Sequence, residues 1–555
     1  MATSRAGWLA IALATTGMTG AGAVAQTAAA ERVSAAEVER IVAASFPADA
    51  PGAAVIVMLG GRTLYAGGRG LADTGGARAI TPDTPIRLGS ITKQIVAAVV
   101  LQLVAEGRVR LDDPLSRFFP DWPSPGANAT VRQLLNHSSG LQDFSKIPGW
   151  MLSPPSLQPN STADLIALIR SRPAVSPPGE RWEYNNGGYV VLGAIVEQVT
   201  GKPWHQAVVE RIGRPLGLKT LAYAEASTGA ARGYSREGGA YAPARGVHIS
   251  VAGAAGGLVA SVADLARWAR ALHGGRVVSR ALYAEMIAPA RLTGGGTEPY
   301  GFGLRLRELR GRPALVHGGS GRGLDAASAW VPAAELFVAV LANTDDPATD
   351  PDVLVQRLAA LAMGQPVPSF TPVDPPANVA ALFGTYQAER GPALRFFPRD
   401  GKLWLGRDDD EQEAFAAGDD RFFFGAGSLT WFQFRRDGAG VPVVAVHRVE
   451  AAGPTLATRT GDAPAPVAIA PAVLARYVGT FKTEAPVVSV ALSGDGRLTI
   501  AAFGQSPTPL RPVSATEFRV EGGIMRVVFH PEGNRVDRLT LIRGARELHG
   551  TRVTS

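Results

Sequence analysis

At 555 residues the chain is too long for one hydrophobic core and should divide into about two to four domains. With 46% apolar and 19% charged residues it reads as globular, not disordered. The net charge of +7 comes from 49 Arg and only six Lys, scattered without a basic run, which argues against nucleic acid as a partner; the lack of Cys excludes disulfides, thiolate metal sites and a Cys nucleophile.

The chain opens with Arg5, an apolar stretch and the small-residue pattern Ala23-Val24-Ala25, which reads as a signal peptide over residues 1–25. The stretch is weakly apolar for a membrane span, and no Cys follows to carry a lipoprotein anchor, so the expected location is periplasmic or secreted. Residues 53–73, AAVIVMLGGRTLYAGGRGLAD, predict a hairpin around Gly60-Gly61. A helix is expected over 91–106, and just before it stands Ser90, three residues ahead of Lys93. Ser is a preferred helix cap, which is the plain reading. The same spacing places an ammonium beside the hydroxyl. An ammonium buried against an apolar run gives up its proton more readily than one in water, so Lys93 is also a plausible proton acceptor for a serine nucleophile. The helix start favours developing negative charge.

Next, LLNHSSGLQDF (134–144) is expected to organise a loop, with His137 and Ser138 structural. A helix is predicted over 162–171. The stretch PPGERWEYNNGGYVVLG (177–193) then sets Tyr184 and Asn186 in a polar loop before an amphipathic helix near 188–199. Two readings stand there: Asn186 caps the helix with Tyr184 packed beneath it, or both side chains face a cleft where Tyr184 serves as general base and acid. A further helix is expected over 261–273, and late strands in YGFGLRLREL (300–309) and SAWVPAAELFVAVLAN (328–343). Between them, His317-Gly318-Gly319 ends an apolar run. Glycine there lets a substrate approach the backbone, whose N–H groups could hold an oxyanion; an incidental His in a Gly-rich hairpin is the alternative. Asp325 could meet a substrate amine but reads better as structural. The eight histidines show no metal-ligand spacing, so neither metal nor cofactor is expected.

Two Pro-rich stretches, 364–377 and 461–471, read as linkers. The segments they bound are copies of each other: LFGTY (382–386) matches YVGTF (477–481) and DGKLWL (400–405) matches DGRLTI (495–500), both at an offset of 95. The offset continues through Phe423 with Phe518, Phe434 with Phe529, Gly438 with Gly533 and Arg448 with Arg543. Short alternating runs broken by Asp-Gly and Glu-Gly turns predict two small antiparallel β-barrels. Strands at both ends of the large segment, with helices between, predict an α+β domain whose ends pair in one antiparallel sheet. The expected plan is a domain over 33–363, a barrel over 378–460 and a second over 472–555.

Ser90-Ile-Thr-Lys93, Tyr184-Asn-Asn186 and His317-Gly-Gly319, in this order, resemble the serine penicillin-recognising hydrolases, in the branch that holds class C β-lactamases, DD-peptidases, esterases and D-aminopeptidases. LLNHSSGLQDF, AAGGLVASVADLARW and PYGFGLRL add to the likeness, which covers residues 35–363. It is nearest to the D-aminopeptidases, whose β-lactamase-like domain precedes two similar barrels and whose third motif is His-Gly-Gly.

The resemblance implies an acyl-enzyme on Ser90, with Lys93 and Tyr184 sharing the proton work. Asn186 would orient the substrate amide, and His317 would stand at the third-motif cation or donor. The backbone N–H groups of Ser90 and, after Gly319, of Ser320 would form the oxyanion hole. A His in place of Lys weakens the case for substrates with a free carboxylate and fits amides, esters or peptides recognised by their amino end, while the likeness to D-aminopeptidases implies D-residue amides or short D-peptides. An esterase, or a DD-carboxypeptidase or β-lactamase, carries the same motifs, and a catalytically silent peptidoglycan-binding or sensor protein would share the fold. In D-aminopeptidases a loop of the last barrel limits the site; Gly522-Gly523 at a hairpin is one candidate here, with a plain turn the favoured reading.

Overall fold

A computed structural model describes residues 34–553 apart from 390, 400, 408–409, 426, 464–466, 484–486, 503–506, 522–524 and 544–545. The expected signal peptide and the Gly522-Gly523 hairpin therefore lie outside the described residues. The chain divides into two compact units, residues 1–369 with 448–453, and residues 370–447 with 454–555.

In the first unit, α1 (Ala35–Ser45) leads into β1 (Ala53–Leu59) and β2 (Arg62–Arg69), the predicted hairpin. The helices α2 (Thr92–Ala105), α3 (Thr162–Arg170), α4 (Asn186–Thr200), α5 (Ile249–Gly256) and α6 (Val262–His273) follow. The chain returns through β3 (Arg305–Leu309), β4 (Arg312–Gly321), β5 (Leu324–Val331), β6 (Leu336–Ala342) and α7 (Pro351–Ala362). The sheet order is β3-β4-β5-β6-β1-β2, and β1 pairs antiparallel with β6 from Ala53 opposite Ala342 to Met58 opposite Phe337. The two ends of the domain thus meet in one sheet, as expected.

Every residue of β1 and β6 is buried. Alternation explains why both strands read as unbroken apolar runs: Val55, Val57, Val338 and Val340 pack under α1 and α7, while Ala54, Ile56, Ala339 and Leu341 face the larger helical layer. At the centre of that layer α2 is apolar on all sides and almost wholly buried, so it is held by packing and its first turn is fixed in place.

The second unit holds two closed eight-stranded antiparallel barrels. Each closes where its first and last strands pair, Gln387 opposite Thr458 in one and Lys482 opposite Thr551 in the other. The cores are aromatic at Tyr386, Phe396, Phe422, Phe432 and Phe434, and at Tyr477, Phe481, Phe518 and Phe529. The offset of 95 links core residues Tyr386 with Phe481, Leu405 with Ile500, Phe434 with Phe529 and Val446 with Leu541. It fails in two strands. In Arg421–Phe423 the core residue is Phe422, while Phe423 faces the other way onto Phe370 and Phe415, so Phe518 corresponds to Phe422 at an offset of 96. In Leu394–Arg399 the core residues Leu394 and Phe396 align by 95 with exposed Ser489 and Ala491, whereas Val488 and Val490 fill the second barrel. The ungapped repeat is corrected there: a one-residue slip exchanges the two faces of a strand.

Candidate active site

Ser90 stands in a 3-10 turn, Gly89–Ile91, that runs directly into α2. The turn lies against β4, and the fit depends on two glycines. Gly89 has φ +51, and a Cβ on it would lie 2.9 Å from Gly319 Cα; a Cβ on Gly319 would lie 2.1 Å from the Leu88 carbonyl oxygen and 2.8 Å from the Ser90 nitrogen. What approaches the Gly319 backbone so closely is the nucleophile's own turn. That contact sets the backbone of Ser90 beside that of Ser320.

Lys93 is fully buried one turn along. Its ammonium donates to Ser90 Oγ at 2.9 Å, Asn186 Oδ1 at 2.9 Å and the Ala255 carbonyl, in α5, at 2.8 Å. Three donors meet three acceptors, which satisfies a charge carried into the core. Tyr184 Oη lies 2.7 Å from Ser90 Oγ, and Lys93 Nζ is 4.8 Å from the Tyr184 ring centre. The helix cap is Asn185, whose side chain accepts the Gly188 N–H. Asn186 is therefore spared that duty and turns to Lys93. Its orientation is fixed by Asp143, whose Oδ2 accepts the Asn186 backbone N–H at 3.0 Å and Nδ2–H at 3.4 Å. Lys146 holds the Tyr184 carbonyl at 2.8 Å.

His317 comes to the same region but is closed off from it. It is buried, and its two ring nitrogens meet Tyr300 Oη at 2.9 Å and the Gly318 carbonyl at 2.7 Å. Tyr300 Oη in turn lies 3.0 Å from His137 Nε2. One backbone group fixes the direction of this chain. The Asn185 N–H donates to His137 Nδ1, so the His137 proton is on Nε2 and donates to Tyr300. Tyr300 then donates to His317 Nε2, and His317 Nδ1–H donates to Gly318. Burial, followed by the charge of Lys93, pushes His317 down to about 3, and the same causes hold His137 well below the usual imidazole range. His317 is thus a neutral residue spent on internal partners, and besides Lys93 and Lys146 the region holds Arg305, 5.6 Å from the Tyr184 ring centre and 5.8 Å from that of Tyr300.

Ser90, Lys93, Tyr184, Asn186 and Gly319 are therefore brought together. Ser320 follows Gly319 with its side chain on the far face, since along β4 Ala314 and Val316 face α7 and Ser320 continues that face. Asp325, directly opposite Ser320, lies on the same far face, where burial and then Asp350 raise it to about 6. It does not face Ser90. Sequence reasoning missed Asp143, Arg305, Tyr300 and the role of His137, although all four lie within quoted stretches. No group of acidic and His residues able to hold a metal occurs among the described residues.

A hydroxyl with an amine at 2.9 Å and a phenol at 2.7 Å is a set of groups that serine acyl transfer can use. Comparison with known proteins agrees. The profile of the Beta-lactamase family matches residues 38–362. The D-aminopeptidase of Brucella canis is 30% identical over 278 residues, which is 49% of this chain and 52% of that protein, so the match spans about half the length of the curated relative. The octameric penicillin-binding protein homologue from Pyrococcus abyssi superposes with a TM-score of 0.53 at 22% identity, covering 93% of this chain and 100% of that one. The penicillin binding protein from Bacillus halodurans gives 0.50 at 23% identity, over 59% and 99%. The last two likenesses concern the fold.

Proposed function

Since the chain belongs to the Beta-lactamase family, we propose that it is an exported serine hydrolase that cleaves D-residue amides or short D-peptides through an acyl-enzyme on Ser90. The observation that carries this is the placement of Tyr184 Oη at 2.7 Å and Lys93 Nζ at 2.9 Å from Ser90 Oγ. Tyr184, which donates its own proton to Ser90 Oγ at rest, must first give that proton up; its phenolate, beside the Lys93 charge, then takes the Ser90 proton as Ser90 attacks the amide carbon. Lys93, with all three N–H groups already donated, acts by its charge. The N–H groups of Ser90 and Ser320 stabilise the tetrahedral oxyanion. Tyr184 then returns the proton to the leaving amine, and water releases the acid by the same steps in reverse order. The D-residue preference rests on the likeness to the Brucella enzyme, and the neutral His317 agrees with substrates recognised without a terminal carboxylate.

Arg305 favours a second reading. A permanent cation beside Tyr184 could take a substrate carboxylate, as a DD-carboxypeptidase requires.

Intact mass after treatment with a fluorophosphonate, with Ser90→Ala as control, tests the nucleophile. Hydrolysis of D-Ala and L-Ala p-nitroanilides, beside release of D-Ala from an acylated D-Ala-D-Ala peptide, tests the substrate. Labelling lost in the variant with D-anilide cleavage supports the first reading. D-Ala release in its place supports the second, and neither labelling nor turnover leaves a binding protein.

A further inference from the structure

Against α5, lined by its Ser250, Gly253 and Ala254, lies a cavity of about 220 Å³ that none of the residues placed above at the active site lines. One wall is aromatic. His205 and Tyr223 stack with ring centres 4.7 Å apart and planes at 19°, and Trp204 meets both edge-on. Two carboxylates, Glu197 and Glu225, also line it.

Glu197 Oε1 accepts from the Thr162 hydroxyl and the Trp204 backbone N–H, each at 3.1 Å. Glu225 Oε1 lies 3.0 Å from His248 Nε2. The Ser250 N–H donates to His248 Nδ1, so a neutral His248 carries its proton on Nε2 and gives it to Glu225 as a hydrogen bond. Among the described residues neither carboxylate pairs with a Lys or Arg, and none of the residues lining the cavity is basic apart from His205. Burial lowers the pKa of His205, whereas Glu197 and Glu225 both raise it, so the two carboxylates act on the same ring.

Two formal negative charges beside electron-rich ring faces, in a space the size of a small organic molecule, are complementary to an ammonium ion with an apolar substituent. An inorganic cation would use the carboxylates and leave the ring faces unused; a neutral or anionic ligand would leave the charge unmatched. We propose that this cavity is a binding site for a small organic ammonium ion, its charged group between Glu197 and Glu225 and its apolar part on the His205–Tyr223 face. The floor is Gly253, which breaks α5 at φ +44, ψ −140, two residues before the carbonyl that holds Lys93. The occupant therefore rests on the same short helix whose Ala255 carbonyl holds the buried ammonium.

Calorimetric titration of the full chain with benzylammonium chloride, and with benzyl alcohol as the neutral counterpart, tests this without any variant. One saturable site is expected, with the alcohol at least ~10-fold weaker. Glu225→Gln and Tyr223→Leu should each weaken benzylammonium by about 5-fold or more, whereas Ser90→Ala should leave the isotherm unchanged. No saturable heat up to about 50 mM, equal affinity for the alcohol, an isotherm indifferent to Glu225→Gln, or one abolished by Ser90→Ala would each overturn the assignment.

Discussion

Lys93 is the residue through which the other groups of the site are connected. It ties the nucleophile's turn to the start of α4 and the end of α5, so the charge that stabilises the Ser90 oxygen also fixes the geometry around it. Tyr184 is the mobile partner in proton terms. Tyr184→Phe keeps the ring packing on His137 and removes only the oxygen, so turnover should fall by about 10²–10⁴ while the melting temperature hardly moves. Asp143 is a positioning residue. In Asp143→Asn the Asn186 amide is no longer held by a pure acceptor and can present N–H to Lys93. The expected result is a kcat about 10-fold lower with KM little changed, read from steady-state kinetics. That Ser90 and Lys93 are neighbours was legible in the sequence because they stand one helical turn apart, whereas Tyr184 was joined to them through the family resemblance. The Ala255 carbonyl was not legible, since every residue has one. Asp143 lay in a stretch already singled out, but which amide it orients is decided by tertiary contact.

At the scale of elements, β4 and the turn before α2 act as one piece, joined at Gly89 and Gly319. Adding a single methyl group in Gly319→Ala would force the Leu88 carbonyl and the Ser90 nitrogen aside. Activity should drop by about 10²-fold or more, with the oxyanion donors displaced, and stability by about 1–3 kcal/mol; a Gly318→Ala control, at the exposed neighbouring position, should do much less. The sequence suggested that glycine admits a substrate to this backbone, and it could not show that another part of the same chain takes that space. Helix limits were read well where apolar spacing is regular: α2, α3 and α6 fall within a residue or two of expectation. The short kinked α5 was not foreseen, because its small residues, Ala252 to Gly257, carry no periodic signal.

Across the whole molecule, acid should unfold the first unit before any catalytic group is lost. His137, His273 and His317 are buried and neutral, with His273 held down to about 3 by burial beneath Trp330. The unfolded chain takes up protons at these positions below about pH 6.5 and the folded chain does not, so stability is full above that pH and is lost as pH falls. Each contributes up to about 1.4 kcal/mol per pH unit over that window. Asp325 opposes them. Its folded value of about 6 lies above the unfolded one, so acidification between those values favours the fold, as it does at Asp352, whose carboxyl burial also raises, while His205 adds to the histidines. Calorimetry from pH 7 to 4.5 should show a falling melting temperature, with a shallower slope in His273→Phe, which keeps the stack on Trp330; a flat profile would contradict the neutral histidines. The α+β domain and the paired barrels were legible at this scale because duplication and alternation are properties of pattern. The slips between the copies were not, since only the faces of folded strands reveal them. Those slips bear on how the chain avoids misassembly as it folds. Tandem copies invite one barrel to borrow the matching strand of the other. A strand exchanged at the constant spacing of the repeat would turn Phe518 outward in place of Phe423 and set Glu517 where Phe422 belongs, and would set Ser489 and Ala491 where Leu394 and Phe396 belong. The mismatch makes each barrel a poor host for its twin's strands, and so directs each half of the duplication to close on itself.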